Sequence, residues 1–188
     1  MVTRFSALCA WLFVSVAVVS AADAERKLLV VPTKLFAVES VVLLETTKEG
    51  KVKPQTVAFS EKPIVLTGDG TYEVFLKPKG GIPVRVLDSL TVKPGVTHEL
   101  KVGDVLGSVE VFGDNFPRAS KVVLTDLKDD GPGEKGHVAL QTAKEYRVEM
   151  AIVPGQYAVW VVPDNGAKPQ RVVENVRVQA GRSTRVGD

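Results

Sequence analysis

The residue types best suited to recognition chemistry in this sequence come as two aromatic–arginine pairs. Phe75 precedes Arg85, and Trp160 precedes Arg171, each across a stretch rich in Gly and Pro. A hairpin centred on Gly80 sets Phe75 across from Arg85, and the matching hairpin sets Trp160 across from Arg171. A guanidinium facing a ring on the adjacent strand is a cation–π arrangement, worth about 0.5–1 kcal/mol when exposed. Both rings are out of phase with Tyr72, Val74 and Leu76 or with Tyr157, Val159 and Val161, which read as the inward sets. An outward ring can stack on a sugar or anchor a protein partner. It can equally staple the outside of a sheet, or be buried against a neighbouring unit. The candidate binding residues are therefore Phe75, Arg85, Trp160 and Arg171.

Other constellations offer less. Asp126, Asp129, Asp130 and Glu134 crowd the segment LTDLKDDGPGE, and a calcium ion takes six to eight oxygens from such loops. The spacing is not that of an EF-hand, and Lys128 and Lys135 offset part of the charge, so a solvated turn accounts for it. GPGEKG (131–136) spells a dinucleotide fingerprint. That fingerprint needs a helix N-terminus behind it, and Pro132 removes one N–H donor. His98 and His137 stand far apart in sequence without a nucleophile motif, and read as surface or partly buried histidines. One Cys and two His leave little material for zinc, iron–sulfur or Cys/His catalysis. No cofactor or metal is expected.

Twenty-four basic against 22 acidic residues in 188 give a net charge of +2, without the concentrated basic face of a nucleic-acid binder. Ala7–Ala22 follows Arg4 and contains no charge, too short for the roughly 20 residues that span a bilayer. Ala22-Asp23-Ala24 fits an A-x-A cleavage pattern, as does Ser20-Ala21-Ala22. Residues 1–24 read as a cleaved signal peptide. The exported chain then has no cysteine and no membrane span, and relies on apolar cores alone. An uncleaved anchor is the other reading of the same segment.

The remainder repeats itself. GTYEVFLKPKGG (70–81) answers GQYAVWVVPDNG (155–166), and PVRVLDSLTVKPG (83–95) answers PQRVVENVRVQAG (169–181). Upstream, FAVESVVL (36–43) answers FPRASKVVL (116–124). Val102-Gly103-Asp104 recurs as Val186-Gly187-Asp188. A period this long is domain-sized, which predicts tandem units at 25–104 and 105–188.

Alternating apolar residues, abundant Val and Thr, and Gly or Pro every ten residues or so predict short strands and an all-β fold. Each unit is predicted to hold about seven strands: 28–32, 38–46, 55–60, 63–67, 71–77, 84–93 and 96–102, then 107–112, 119–127, 136–141, 145–153, 156–162, 170–179 and 182–186. HVALQTAKEYRVEMA (137–151) is rich in helix formers, but Tyr146, Val148, Met150 and Ile152 alternate, so strands are expected there. The joint Val105-Leu106-Gly107-Ser108 is too short and too apolar for a flexible tether.

Gly70, Tyr72, Val74, Gly95 and Thr97, with Gly155, Tyr157, Val159, Gly181 and Ser183, form a pattern of Gly-x-Tyr-x-Val, a Pro/Gly hairpin, a Val-rich strand and a closing Gly. It resembles the prealbumin-like or Cna-B-type sandwich, shared by carboxypeptidase regulatory-like and PEGA-type repeats. VEVFGDNFPRASKVVL (109–124) also resembles the opening of an IPT/TIG-type immunoglobulin-like domain. Both resemblances imply a β-sandwich, and neither supplies a catalytic residue. The expectation is an exported, non-enzymatic binding or scaffolding module, secreted or held in the periplasm or cell envelope. Its partner would be a protein or a glycan, not nucleic acid. The competing expectation is a small secreted glycosidase-like hydrolase using two carboxylates across a cleft.

Overall fold

The computed structural model describes residues 24–112, 119–128, 131–132, 139–142, 147–163 and 165–187. The expected signal segment, His137, and most of the acidic loop lie outside them. The protein is all-β and sandwich-type, apart from a single helical turn.

In the first half the strands are β1 (Arg26–Val31), β2 (Val38–Thr46), β3 (Val52–Ala58), β4 (Ile64–Leu66), β5 (Thr71–Pro78), β6 (Val84–Leu90) and β7 (Thr97–Lys101). They form a three-stranded sheet in the order β4-β1-β7 and a four-stranded sheet in the order β3-β2-β5-β6. A turn of helix, α1 (Val102–Val105), leads into β8 (Gly107–Phe112), β9 (Ala119–Asp126), β10 (Ala139–Thr142), β11 (Arg147–Ile152), β12 (Gly155–Pro163), β13 (Gln170–Val178) and β14 (Ser183–Val186). Their sheets are ordered β11-β8-β14 and β10-β9-β12-β13, strand for strand the order of the first half. The pairing senses recur too: β1 is antiparallel to β4 and parallel to β7, and β8 is antiparallel to β11 and parallel to β14.

Alternation builds the cores. Tyr72, Val74 and Leu76 of β5 are all 2% exposed or less, and join Leu28, Val30, Val41 and Leu43 in one apolar cluster between the two sheets. Tyr157, Val159 and Val161 do the same with Val109, Val111, Val122, Leu124, Met150 and Ile152. The segment 137–151 supplies β10 and most of β11, so tertiary pairing overrides its helix propensity.

The β6 strand does not pair with β5 in one unbroken register. The register shifts between Val74↔Leu87 and Phe75↔Arg85. A second shift, between Tyr72↔Leu90 and Val74↔Leu87, rephases the strand where Asp88 interrupts the apolar pattern. β13 carries a bulge at the place corresponding to the first of these, between Val159↔Val173 and Trp160↔Arg171.

The joint is packed. Leu106 N–H donates to Val102 C=O at 3.0 Å, closing α1, and Val102 and Leu106 are fully buried. Ala151 of β11 belongs to the first half's apolar cluster, and Val153 packs against both clusters. Gly181 N–H reaches back to Leu106 C=O at 3.0 Å. Gly107 leaves no room for a side chain: a Cβ there would lie 2.2 Å from Gln179 O.

Candidate functional site

Two tight hairpins place the aromatic–arginine pairs. Gly80 adopts φ +77°, and Gly81 N–H donates to Pro78 C=O at 3.1 Å, which returns the chain so that Phe75 faces Arg85. Gly166 (φ +76°) turns the second hairpin, and Trp160 faces Arg171. The two rings occupy matching positions, and their surroundings differ.

Trp160 is only 8% exposed. It forms an apolar cluster with Val123 and Ala158, with Leu127 and Val162 packed against it, on the side of the sheet away from the core. Its indole Nε1–H donates to the buried Thr125 Oγ1 at 3.0 Å, which satisfies the one polar atom of the ring. The Arg171 guanidinium lies 5.7 Å from the ring centroid and donates to Glu174 C=O at 3.1 Å. The cation–π pair is therefore formed, but around a buried ring. The expectation that Trp160 offers a face for stacking is corrected: the apolar neighbours at 123, 158 and 162 make this position a second small core.

Phe75 is half-buried, and polar residues take the matching positions beside it. Glu73 stands where Ala158 stands in the second half, and Lys77 where Val162 stands. Arg85 is held by Asp88 (2.9 Å) and Glu73 (3.7 Å), and Lys77 by Glu39 at 3.0 Å. These are exposed pairs of small energetic value. Among the described residues the cation–π contact is that of Arg171 on Trp160. The Phe75 face is a ring rimmed by charges of both signs and left partly open to solvent.

Among the described residues the other sequence candidates do not converge. Asp126 is exposed at the end of β9, while Asp129, Asp130 and Glu134 lie outside the described residues, as does GPGEKG beyond Pro132. His98 sits half-buried on β7, in register with Leu28. Among the described residues no group of three His, Cys, Asp or Glu side chains could hold a metal, and no helix is long and apolar enough to cross a membrane. An open groove of about 550 Å³ runs along the start of β12 and the end of β13, lined by Pro154, Gln156, Arg177 and Gln179 among others.

Sequence reasoning missed three polar arrangements. Glu110, 7% exposed, accepts from Arg185 Nε at 3.1 Å and pairs with Arg147 at 2.6 Å. Strand alternation in Val109-Glu110-Val111 places Glu110 on the face away from the core, and its partners come from β11 and β14, whose pairing with β8 is non-local. Glu45, also 7% exposed, accepts the Gly70 N–H at 3.3 Å. Its carboxylate fills the space beside Gly68, where any Cβ would collide with it.

Each inward tyrosine also closes a corner with the backbone four residues upstream, as in many β-sandwiches. Gly68 N–H donates to Tyr72 Oη at 2.9 Å, and Tyr157 Oη–H donates to Val153 C=O at 2.8 Å. Burial raises both phenols. Tyr157 is pushed up to about 12, by burial first and then by the Asp126 charge. Tyr72 is raised by burial against the opposing effect of the Gly68 hydrogen bond.

The fold and these faces define an all-β, sandwich-type protein. No family model matches the chain, and no curated protein matches it. Among solved structures it is similar to the Bacillus anthracis TIE protein, at 16% identity over 88% of this chain and 33% of that one, with a TM-score of 0.31. It is also similar to a leucine-rich repeat protein from Bacteroides thetaiotaomicron, at 15% identity over 88% of this chain and 26% of that one, with a TM-score of 0.29. The chain thus spans about a third and a quarter of those two proteins.

Proposed function

We propose that this chain is an exported, non-enzymatic binding and scaffolding module, secreted or retained in the cell envelope. Two tandem sandwiches, 25–104 and 105–188, form a stiff body whose first half presents a docking face for a protein or glycan. The observation that carries the reading is the contrast between matching faces. The Trp160 face is filled from within the chain, whereas the Phe75 face keeps a partly exposed ring bordered by Arg85, Glu73 and Lys77. A ring with hydrogen-bonding groups at its rim suits a sugar or a mixed polar–apolar protein surface.

The test is affinity capture from the secreted and envelope fraction, with the exported protein as bait and a Phe75→Ala/Arg85→Ala variant beside it. The reading expects a protein or glycan retained by the parent and lost by the variant, while the variant keeps the parent's near-ultraviolet circular dichroism. Equal retention by both would remove the Phe75 face from the binding role.

A further inference from the structure

The geometry points to a mechanical function: the chain carries tension, and each half resists it in shear across its own first and last strands. This rests on the scaffolding reading and adds what such a scaffold withstands. β1 and β7 are parallel neighbours at five register pairs, Lys27↔Thr97 to Val31↔Lys101. Their start is tied further by Lys27 N–H to Val96 C=O and Gly95 N–H to Glu25 C=O, both at 3.1 Å.

β8 and β14 repeat the arrangement at four register pairs, Ser108↔Ser183 to Val111↔Val186. The flanking bonds recur as well, Ser108 N–H to Arg182 C=O at 2.9 Å and Gly181 N–H to Leu106 C=O at 3.0 Å. The Arg185–Glu110 ion pair lies directly across these two strands.

The direction of pull follows from topology. In each half the chain enters at the start of the first strand and leaves at the end of the last. Because those two strands are parallel, tension along the chain slides one past the other, and their hydrogen bonds take the force together. A terminal antiparallel hairpin would instead open one bond at a time. Nothing slack separates the two patches: β7 passes through one turn of helix into β8, and the buried Leu106, Ala151 and Val153 hold that turn between the cores.

Single-molecule force spectroscopy on the full chain tests it by pulling one fold in two directions. Beyond Cys9 the sequence has no cysteine, so handles attach cleanly once Cys9→Ser is made or the leader is removed. In the shear arrangement the handles sit on Glu25→Cys and Asp104→Cys, at opposite ends of the β1–β7 pair. In the peeling arrangement they sit on Glu25→Cys and Pro94→Cys, at the same end. All three positions are exposed. Forced rupture follows the barrier along the pulling path and not the equilibrium stability. The rupture force is expected to be several-fold higher in shear than in peeling, with equal denaturation midpoints for the two variants. Equal or lower force in shear overturns the proposal. A lost binding partner in the capture experiment would leave the force ratio untouched, so the two readings fail separately.

Discussion

Position for position, Phe75 and Trp160 have the same strand, the same bulge and the same arginine opposite, and they end in different environments. Beside Trp160 the sheet offers Val123, Thr125, Ala158 and Val162. Beside Phe75 it offers Val42, Leu44, Glu73 and Lys77. Exchanging Ala for Glu and Val for Lys is enough to keep one face wet while the other dries. Arginine follows its surroundings: Arg171 lies over the indole, while Arg85 is claimed by Asp88 and Glu73. An aromatic–arginine pair is thus a register marker of this hairpin, and only its neighbours decide whether the ring is core or surface.

The largest effect expected of that contrast is in truncating the two rings. Trp160→Ala should cost about 3–5 kcal/mol, the range for emptying a buried aromatic site, because it opens a cavity and removes the indole's hydrogen bond to the Thr125 hydroxyl, which keeps its own bond to Asp126 C=O at 3.2 Å. Phe75→Ala should cost roughly a third of that, since a partly exposed ring has shed less water and leaves less of a cavity. Guanidinium denaturation midpoints of the two variants measure it directly. Equal losses would mean that the first half's face is as closed as the second's.

How far this was legible from sequence depends on the range of the interaction. Strand alternation at Tyr72-Glu73-Val74 and Tyr157-Ala158-Val159 is local, and it fixed inside from outside correctly for both tyrosines. The aromatic–arginine register was likewise readable, because a hairpin fixes pairing through its own turn. The fate of Trp160 was not, since Val123 and Thr125 lie more than thirty residues away in sequence and dry the face only once β9 lies beside β12. Glu110 is similar: alternation sets it on the outer face of β8, but Arg147 and Arg185 reach it through an antiparallel and a parallel neighbour that no local pattern names. The helical turn at Val102–Val105 also went unforeseen. Gly103 and Asp104 disfavour strand without specifying a helix, and the turn is held at the joint by the buried Val102 and Leu106 and the hydrogen bond between their backbones.

The tyrosine corners sharpen the comparison where the halves agree. Tyr72→Phe and Tyr157→Phe should each cost about 1–2 kcal/mol, one hydrogen bond to a backbone group left without that partner. Tyr157→Phe should be the worse, because its phenol is the donor and the Val153 carbonyl sits at the joint. The same phenols set the alkaline limit. The unfolded tyrosine releases its proton near pH ~10, whereas folded Tyr157 holds it to about 12. Stability from this source is complete below the unfolded value and falls as pH rises toward the folded one. Denaturation midpoints measured between neutral pH and pH ~11.5 should decline in the upper part of that range, and the double Phe variant should decline less.

A smaller effect separates the three-stranded sheets. The second half has Glu110 at the register position that Leu29 holds in the first, opposite Arg185 and Glu99 respectively. Glu110→Gln keeps the shape and removes the charge facing Arg147 and Arg185. Because both arginines are largely in solvent, the loss should be about 1 kcal/mol and should shrink in high salt. Repeating the denaturation at low and high ionic strength tests this, and a loss independent of salt would assign Glu110 a packing role instead.

The smallest expected effect has the opposite sign, and it concerns the joint that only the second half's leading edge makes. Ser108 is fully buried and, among the described residues, its hydroxyl has no hydrogen-bond partner, while its backbone N–H is satisfied by Arg182 C=O. The matching position in the first half is Lys27, partly exposed at the start of β1 and paired with Glu25 at 2.9 Å. A side chain free to reach water thus has a counterpart trapped where the two halves meet. Removing an unpaired buried hydroxyl recovers its desolvation penalty and sacrifices no bond, so Ser108→Ala should be neutral or stabilise by about 1 kcal/mol. Ser108→Lys, which restores the residue of the open end, should force the joint apart and destabilise by several kcal/mol, because it buries a charge without a partner. Opposite signs for the two substitutions would establish that the same strand start serves as an outer end in one half and as a sealed contact in the other. A loss of stability in Ser108→Ala would instead reveal a hydrogen bond that the serine makes in solution.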